Sequence, residues 1–305
     1  MRVLVAAAVL AATTAAAQAP SPAPASTPTP TQAGAAPAAA PPGPTTAAAP
    51  ASPAVEWRTL DPANTLLIET TKGRIIVEMR PDLAPLTVAR IKALTRQGYY
   101  NGALFYRVIE GFAAQTGDKG AKTYRSTLPN LKGEMTFALT PAMNYLSVGS
   151  SPGGDVGYIG SFPVTIATAP GATAGQPPTS GRGNIVFCPG IAAMAHPDRQ
   201  PNGGNSQFFL LRQYAPTLEK SYAAWGRIVV GQNVVFALKN GEPPVNPDKM
   251  TSVRVLSDIP APQRPKVEVT NLTQAGLAAL AQAAVQAKGN AFTLCDIPVQ
   301  ARVTP

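Results

Sequence analysis

Apolar and polar positions follow two different periods along this chain, and the points where the period changes mark its elements. In "TLLIETTKGRIIVEM" (65–79) two β-rich runs flank Lys72-Gly73, with Ile75, Val77 and Met79 on one face of the second, which predicts a hairpin. "PDLAPLTVARIKALTRQG" then moves to helical spacing through Val88, Ile91 and Leu94, with Pro85 suited to the first turn and Gly98 able to end the helix. "GALFYRVIEGF" returns to period two. Alternation there sets Phe105, Arg107 and Ile109 on one face and Tyr106 and Val108 on the other.

After Asp118 the periodicity fades. The section to about Asn184 is rich in Gly, Pro, Ser and Thr, with short strand-like pieces at "MTFAL" and "FPVTIA", and reads as extended loops. "NIVFCPGIAAMA", "SQFFLLR" and "YAAWGRIVV" are short apolar strands between turns, and "QNVVFALKNG" reads as a helix. The spacing predicts a mainly β domain over 55–259, a closed antiparallel barrel with a few helices and a long insertion at about 119–184. The prolines of "PAPQRP" open a C-terminal extension, 260–305. In it "NLTQAGLAALAQAAVQAKG" predicts a helix over 271–288, with Asn271 as N-cap, Gln274 at the capping-box position, Gly289 as terminator and Leu277, Leu280 and Ala284 on one face. "FTLCDIPV" reads as an added strand carrying Cys295.

Composition changes this picture mainly at the N-terminus. "MRVLVAAAVLAATTAAAQAP" has a charged start, a short apolar stretch and small residues at its end, the form of a secretory signal over 1–17 with cleavage after Ala17. An uncleaved anchor is the alternative. Residues 18–54 are Pro, Ala, Ser and Thr with almost no charge, a linker able to extend on the order of 100 Å as polyproline II. The expected localisation is therefore secreted, periplasmic in a bacterium, with envelope association through the N-terminal segment if it is not cleaved. The formal charge of +9 comes from lysines and arginines scattered singly, with no basic run, which argues against nucleic acid as a partner. Cys188 and Cys295 are the only cysteines, and two readings stay open, a disulfide or two unpaired buried thiols.

Several chemistries are excluded by what is missing. His196 is the only histidine, so a multi-histidine metal site is ruled out and no metal or other cofactor is expected. "GDKGAKT" lacks the glycine before the lysine that a phosphate loop needs. "GSSPG" (149–153) satisfies a nucleophile-elbow pattern at Ser151, but Pro152 and "GDVGYIG" cannot begin the helix that the elbow requires. What remains is Arg107, an arginine among apolar neighbours with no proton-transfer partner close in sequence. That suits rotation about a prolyl amide, where a guanidinium donating to the prolyl nitrogen stabilises the deconjugated state and no proton moves. Half of a structural ion pair is the plainer reading of Arg107, and core packing that of Phe112, Phe209 and Leu218.

Three ordered segments, "FYRVIEGFAAQTGD", "NGGNSQFFLLR" and "YAAWGRIVVGQNVV", following "LLIETTKGRIIVEMRPDLAPLTVARIKALTRQGYYNG", resemble a cyclophilin-type peptidyl-prolyl cis-trans isomerase of an exported, bacterial-like kind, from about Asn64 to Asp258. The resemblance implies a closed eight-stranded antiparallel barrel with capping helices, no cofactor, and proline-containing unfolded or extended polypeptides as substrates. By matching position it implies Arg107 as the catalytic arginine and Gln115 as its support. Phe112, Ala113, Ala195, Gln207, Phe209, Leu218 and Tyr222 fall on substrate-binding positions, with Phe209 as the pocket floor. Three residues depart from the family: Ala113 stands where methionine is usual, Tyr222 replaces a histidine found in many members, and Thr217 replaces the tryptophan of the best-known ones. These departures keep a second reading open, a catalytically weak proline-peptide-binding module or envelope scaffold on the same fold.

Overall fold

The computed structural model describes residues 56–117, 126–167 and 176–304; the signal and linker expected over 1–54 lie outside them. Eight strands form one curled sheet: β2 (Thr65–Thr70), β3 (Gly73–Met79), β4 (Arg107–Val108), β5 (Ala113–Thr116), β11 (Ile191–Met194), β12 (Phe208–Leu211), β13 (Ala224–Val230) and β14 (Met250–Val255). Their order is β14-β2-β3-β13-β11-β12-β5-β4, antiparallel throughout. The closed barrel expected from the sequence is not a continuous ladder. The two edges meet through the single Leu104–Lys249 bridge and hydrogen bonds such as Phe105 N–H to Asp248 O, 2.9 Å, because β4 is only two residues long.

The β2–β3 hairpin forms as predicted, with Ile68 opposite Ile75 and Leu66 opposite Val77. Ile75, Val77 and Met79 enter the barrel core, while Leu67 and Ile76 on the opposite face are also buried. That face is covered by a three-stranded sheet of β1 (Trp57–Thr59), β15 (Lys266–Thr270) and β16 (Ala301–Thr304), in the order β1-β15-β16. Helix α1 (Pro85–Arg96) buries Val88, Ile91 and Leu94 against the same core, and Gly98 follows it at φ +64°. Its first turn has no cap from Ala84; the Glu134 carboxylate, brought from the insertion, accepts from Leu86 N–H at 2.9 Å and Thr87 N–H at 2.7 Å. The short helix α2 (Gln232–Phe236) occupies part of the segment read as helical.

Where it is described, the insertion forms a sheet rather than extended loops, and its strand-like pieces "MTFAL" and "FPVTIA" are strands. It contributes β6 (Phe137–Leu139), β7 (Tyr145–Ser151), β8 (Gly154–Ile159) and β9 (Phe162–Ile166), joined by β10 (Gly181–Ile185) in a sheet of order β6-β10-β9-β8-β7. The pattern hides β7 and β8 because several positions are glycine where neighbouring backbone runs too close for a side chain. A Cβ on Gly157, for example, would collide with the Leu146 carbonyl of the paired strand. "GSSPG" is the β7–β8 turn, with the Ser151 hydroxyl donating to Gly154 O at 3.0 Å rather than standing on an elbow.

Helix α3 (Gln274–Lys288) forms in the C-terminal extension, but its cap is Thr273, whose Oγ accepts from Gly276 N–H at 3.1 Å. Leu277 and Ala281 are its buried residues, and Gln274 donates to Ser147 O of β7 at 2.8 Å. "FTLCDIPV" is not a strand: Thr293 and Asp296 cap each other around a single 3-10 turn, and pairing with β15 begins only at Ala301. Cys295 on that turn is disulfide-bonded to Cys188, with 5.2 Å between Cα atoms.

Candidate active site

Register builds the site from neighbouring strands. Arg107 on β4 lies opposite Gln115 on β5, Gln115 lies opposite Phe209 on β12, and Phe209 lies opposite Ala193 on β11, one row across the curled sheet. Phe112 closes the tight β4–β5 turn at Gly111, φ +64°, and places its ring 5.9 Å from the Arg107 guanidinium. Gln207 immediately precedes β12, and its carbonyl accepts from Ala195 N–H at 2.8 Å, which extends the β11–β12 pairing by one step. A 3-10 turn, Pro216–Leu218, then brings Leu218 and Tyr222 over the floor.

All nine residues singled out by sequence line one cavity of about 580 Å³: Arg107, Gln115, Phe112, Ala113, Phe209, Ala195, Gln207, Leu218 and Tyr222. Tyr222 meets Phe209 edge-on at 5.3 Å, and His196, which had no assigned role, stacks on Tyr222 at 4.4 Å. Thr217 is exposed and stands outside the lining.

The polar partners differ from expectation. Gln115 Nε2 donates to the Tyr106 hydroxyl at 2.5 Å, and that hydroxyl donates to Gln207 Oε1 at 2.9 Å. Tyr106 therefore serves the same site as Arg107, although strict alternation put the two on opposite faces; only Arg107 and Val108 belong to a strand, so the alternation has no regular backbone to run on. Arg107 pairs instead with Glu242, Nε to Oε1 at 2.7 Å, across 135 residues of sequence. Beneath Leu218, the half-buried Glu219 carboxylate accepts from Phe187 N–H and Asn184 Nδ2, and burial pushes its pKa up against those hydrogen bonds.

The arrangement sets a cation, Arg107, beside an apolar lining of Phe112, Ala113, Phe209 and Leu218. Residues 65–255 match the model of the family described as "Cyclophilin type peptidyl-prolyl cis-trans isomerase/CLD". The chain belongs to the cyclophilin-type peptidyl-prolyl cis-trans isomerases. Among curated relatives, a "Probable peptidyl-prolyl cis-trans isomerase" of Brucella suis biovar 1 is 32% identical over 203 residues, 65% of this chain and 85% of the relative. A peptidyl-prolyl cis-trans isomerase of Synechococcus elongatus is 28% identical over 194 residues, 63% of this chain and 96% of the relative. Among solved structures, cyclophilin AquaCyp293 from Hirschia baltica superposes with a TM-score of 0.70 at 29% identity, covering 81% of this chain and 93% of its own. That coverage exceeds the span of the family model, so the likeness to this cyclophilin includes residues beyond the barrel. The protein is an isomerase of X-Pro bonds on a cyclophilin fold, with proline-containing peptides as its substrates.

Proposed function

We propose that Arg107 is the catalytic group and that the row Arg107–Gln115–Phe209 sets prolyl nitrogen and prolyl ring in their places. The ring sits on Phe209 between Phe112, Ala113 and Leu218, and Ala195 and Gln207 flank the peptide backbone. The barrier to be lowered is about 18–20 kcal/mol and arises from delocalisation of the nitrogen lone pair into the carbonyl. A guanidinium donor aimed at that nitrogen favours the twisted, pyramidal state over either planar isomer, so its hydrogen bond is strongest at the transition state. The single observation that carries this reading is the convergence of all nine residues on one cavity.

The same proposal places the enzyme outside the cytoplasm, acting on exported chains whose X-Pro steps limit folding. The signal-like N-terminus supports this, as does the Cys188–Cys295 disulfide, a bond that persists in oxidising compartments. The test is NMR exchange spectroscopy on an Ala-Pro peptide with the full chain and with Arg107→Ala. A fall in kcat/KM of about 10²–10³-fold in the folded variant is expected. Peptide binding without acceleration by the wild type would instead support a recognition module.

A further inference from the structure

We propose that Glu242 is the positioning residue of Arg107, holding the guanidinium by its Nε and leaving the two terminal nitrogens for the substrate. This rests on Arg107 being the catalytic group.

Gln115, the cross-strand neighbour from which support is expected, is engaged with Tyr106, and no hydrogen bond joins it to Arg107 among the described residues. The hydrogen bond made by Arg107 there goes to Glu242. Backbone register makes this pairing specific. Val108 and Gly241 exchange two hydrogen bonds, Val108 N–H to Gly241 O at 2.8 Å and Gly241 N–H to Val108 O at 2.9 Å, in an antiparallel bridge. In that geometry the residue before Val108 lies beside the residue after Gly241, so Arg107 and Glu242 are cross-strand neighbours of opposite charge.

The loop bearing Glu242 is fastened on both sides. Gly241 adopts φ +147°, where a side chain would press on Pro244, and Pro243 and Pro244 restrict the backbone that follows. Ahead of it, Asn240 accepts from Arg212 Nη1 at 2.5 Å and donates to Glu110 at 3.2 Å, while Lys239 N–H donates to Asp248 at 2.9 Å. Arg107 is a third exposed at its side chain, so packing alone does not select its rotamer. A carboxylate accepting from Nε fixes the plane of the guanidinium, and a pre-oriented donor loses less freedom on reaching the transition state than a mobile one.

The experiment compares full-length wild type, Glu242→Ala, Glu242→Gln and Arg107→Ala, reading kcat by NMR exchange on a saturating Ala-Pro peptide, Kd by titration, and the Arg107 Nε–H resonance directly. Glu242→Ala is expected to lower kcat about tenfold with Kd within about twofold of wild type, and to broaden the Nε–H signal by exposing it to water. Glu242→Gln keeps a carbonyl acceptor for Nε and is expected to recover at least about half of the wild-type kcat. Catalysis lost in Arg107→Ala but intact in Glu242→Ala overturns the role of Glu242 alone. So does an effect confined to Kd, or a glutamine variant as slow as the alanine. Wild-type catalysis unchanged by Arg107→Ala overturns the reading of Arg107 itself, and with it the proposal.

Discussion

Reducing the Cys188–Cys295 bond should loosen the C-terminal extension and, through it, one wall of the proline cavity. The bond joins positions 107 residues apart, and in the chain-entropy account closing a loop of about 100 residues removes denatured-state freedom equivalent to about 4.7 kcal/mol at 25 °C. Native contacts that survive reduction do not change this figure, because the effect acts on the unfolded chain. In this fold they are substantial: Leu277 and Ala281 of α3 stay buried, Gln274 still bonds β7, and the Tyr158 hydroxyl still donates to Leu294 O at 2.6 Å. The reduced protein should therefore remain folded in buffer while losing about 3–5 kcal/mol of stability, a shift of roughly 1–1.7 M in the urea midpoint for a slope of about 3 kcal/mol/M.

Apart from that denatured-state effect, losing the tether should reach the native site through Phe187, the residue before Cys188. Its carbonyl accepts from Ala215 N–H at 3.0 Å and its N–H donates to Glu219 at 3.3 Å, and these two residues bracket the turn that carries Leu218. Slackening Cys188 should raise KM for an Ala-Pro peptide several-fold while leaving kcat, which depends on β4 and β5, nearly unchanged. The assay is paired urea titration and exchange kinetics on the Cys188→Ser/Cys295→Ser protein and on wild type, each folded by far-UV circular dichroism. Coincident urea midpoints would refute the loop-closure argument. A fall in kcat at unchanged KM would refute the proposed link to the wall.

Three further outcomes follow from single contacts. Glu134→Ala should cost about 1–2 kcal/mol by stripping the first turn of α1 of its acceptor, read as a lower thermal midpoint, with Glu134→Gln intermediate because it keeps an acceptor but no charge. Burial raises the Glu219 pKa above its ordinary value near 4.5, so between those two values the folded state holds the proton more firmly than the unfolded one. Its contribution to stability then falls as pH rises through that window, and Glu219→Gln should be as stable as wild type or more so at pH 7; a large loss on that substitution would mean that the bonds to Phe187 and Asn184 outweigh burial. Ala113→Met should tighten binding of an Ala-Pro peptide by about 1–2 kcal/mol, checked by titration, because it adds apolar surface to the cavity that Ala113 and Phe209 both line.

What the sequence disclosed of the fold is what a local period can carry. The β2–β3 hairpin and α1 announce themselves because each buries a stripe of large aliphatic residues at fixed spacing, and α3 because it has a run of helix formers closed by Gly289. In the insertion sheet β6 and β9 were legible as short strand-like runs, but β7 and β8 were not, for the opposite reason. In β7 and β8 the pairing is made by backbone, and positions such as Gly157 must lack a side chain, so the strand composition that signals a sheet is absent where the sheet is tightest. Curvature was out of reach as well. Whether the eight strands close depends on how Leu104 meets Lys249, 145 positions further along the chain, which no window of sequence contains.

The site divides along the same line. Its apolar floor and its cation were legible because they lie in short ordered segments whose spacing the strands preserve, whereas Tyr106 and Glu242 acquire their roles only from register. Glu242 in particular carries no compositional signal, since an exposed carboxylate after a glycine reads as ordinary loop until the Val108–Gly241 bridge puts it beside Arg107. The family departures were visible as substitutions, but only their placement decides what they do. Tyr222 refills the volume it inherits, held between Phe209 and the stacked ring of His196. Thr217 refills nothing, because it is exposed and outside the cavity lining, and Ala113 leaves its deficit in the lining itself. Restoring apolar surface at Ala113 should therefore act on substrate binding without touching the Arg107–Glu242 pair proposed to govern the rate.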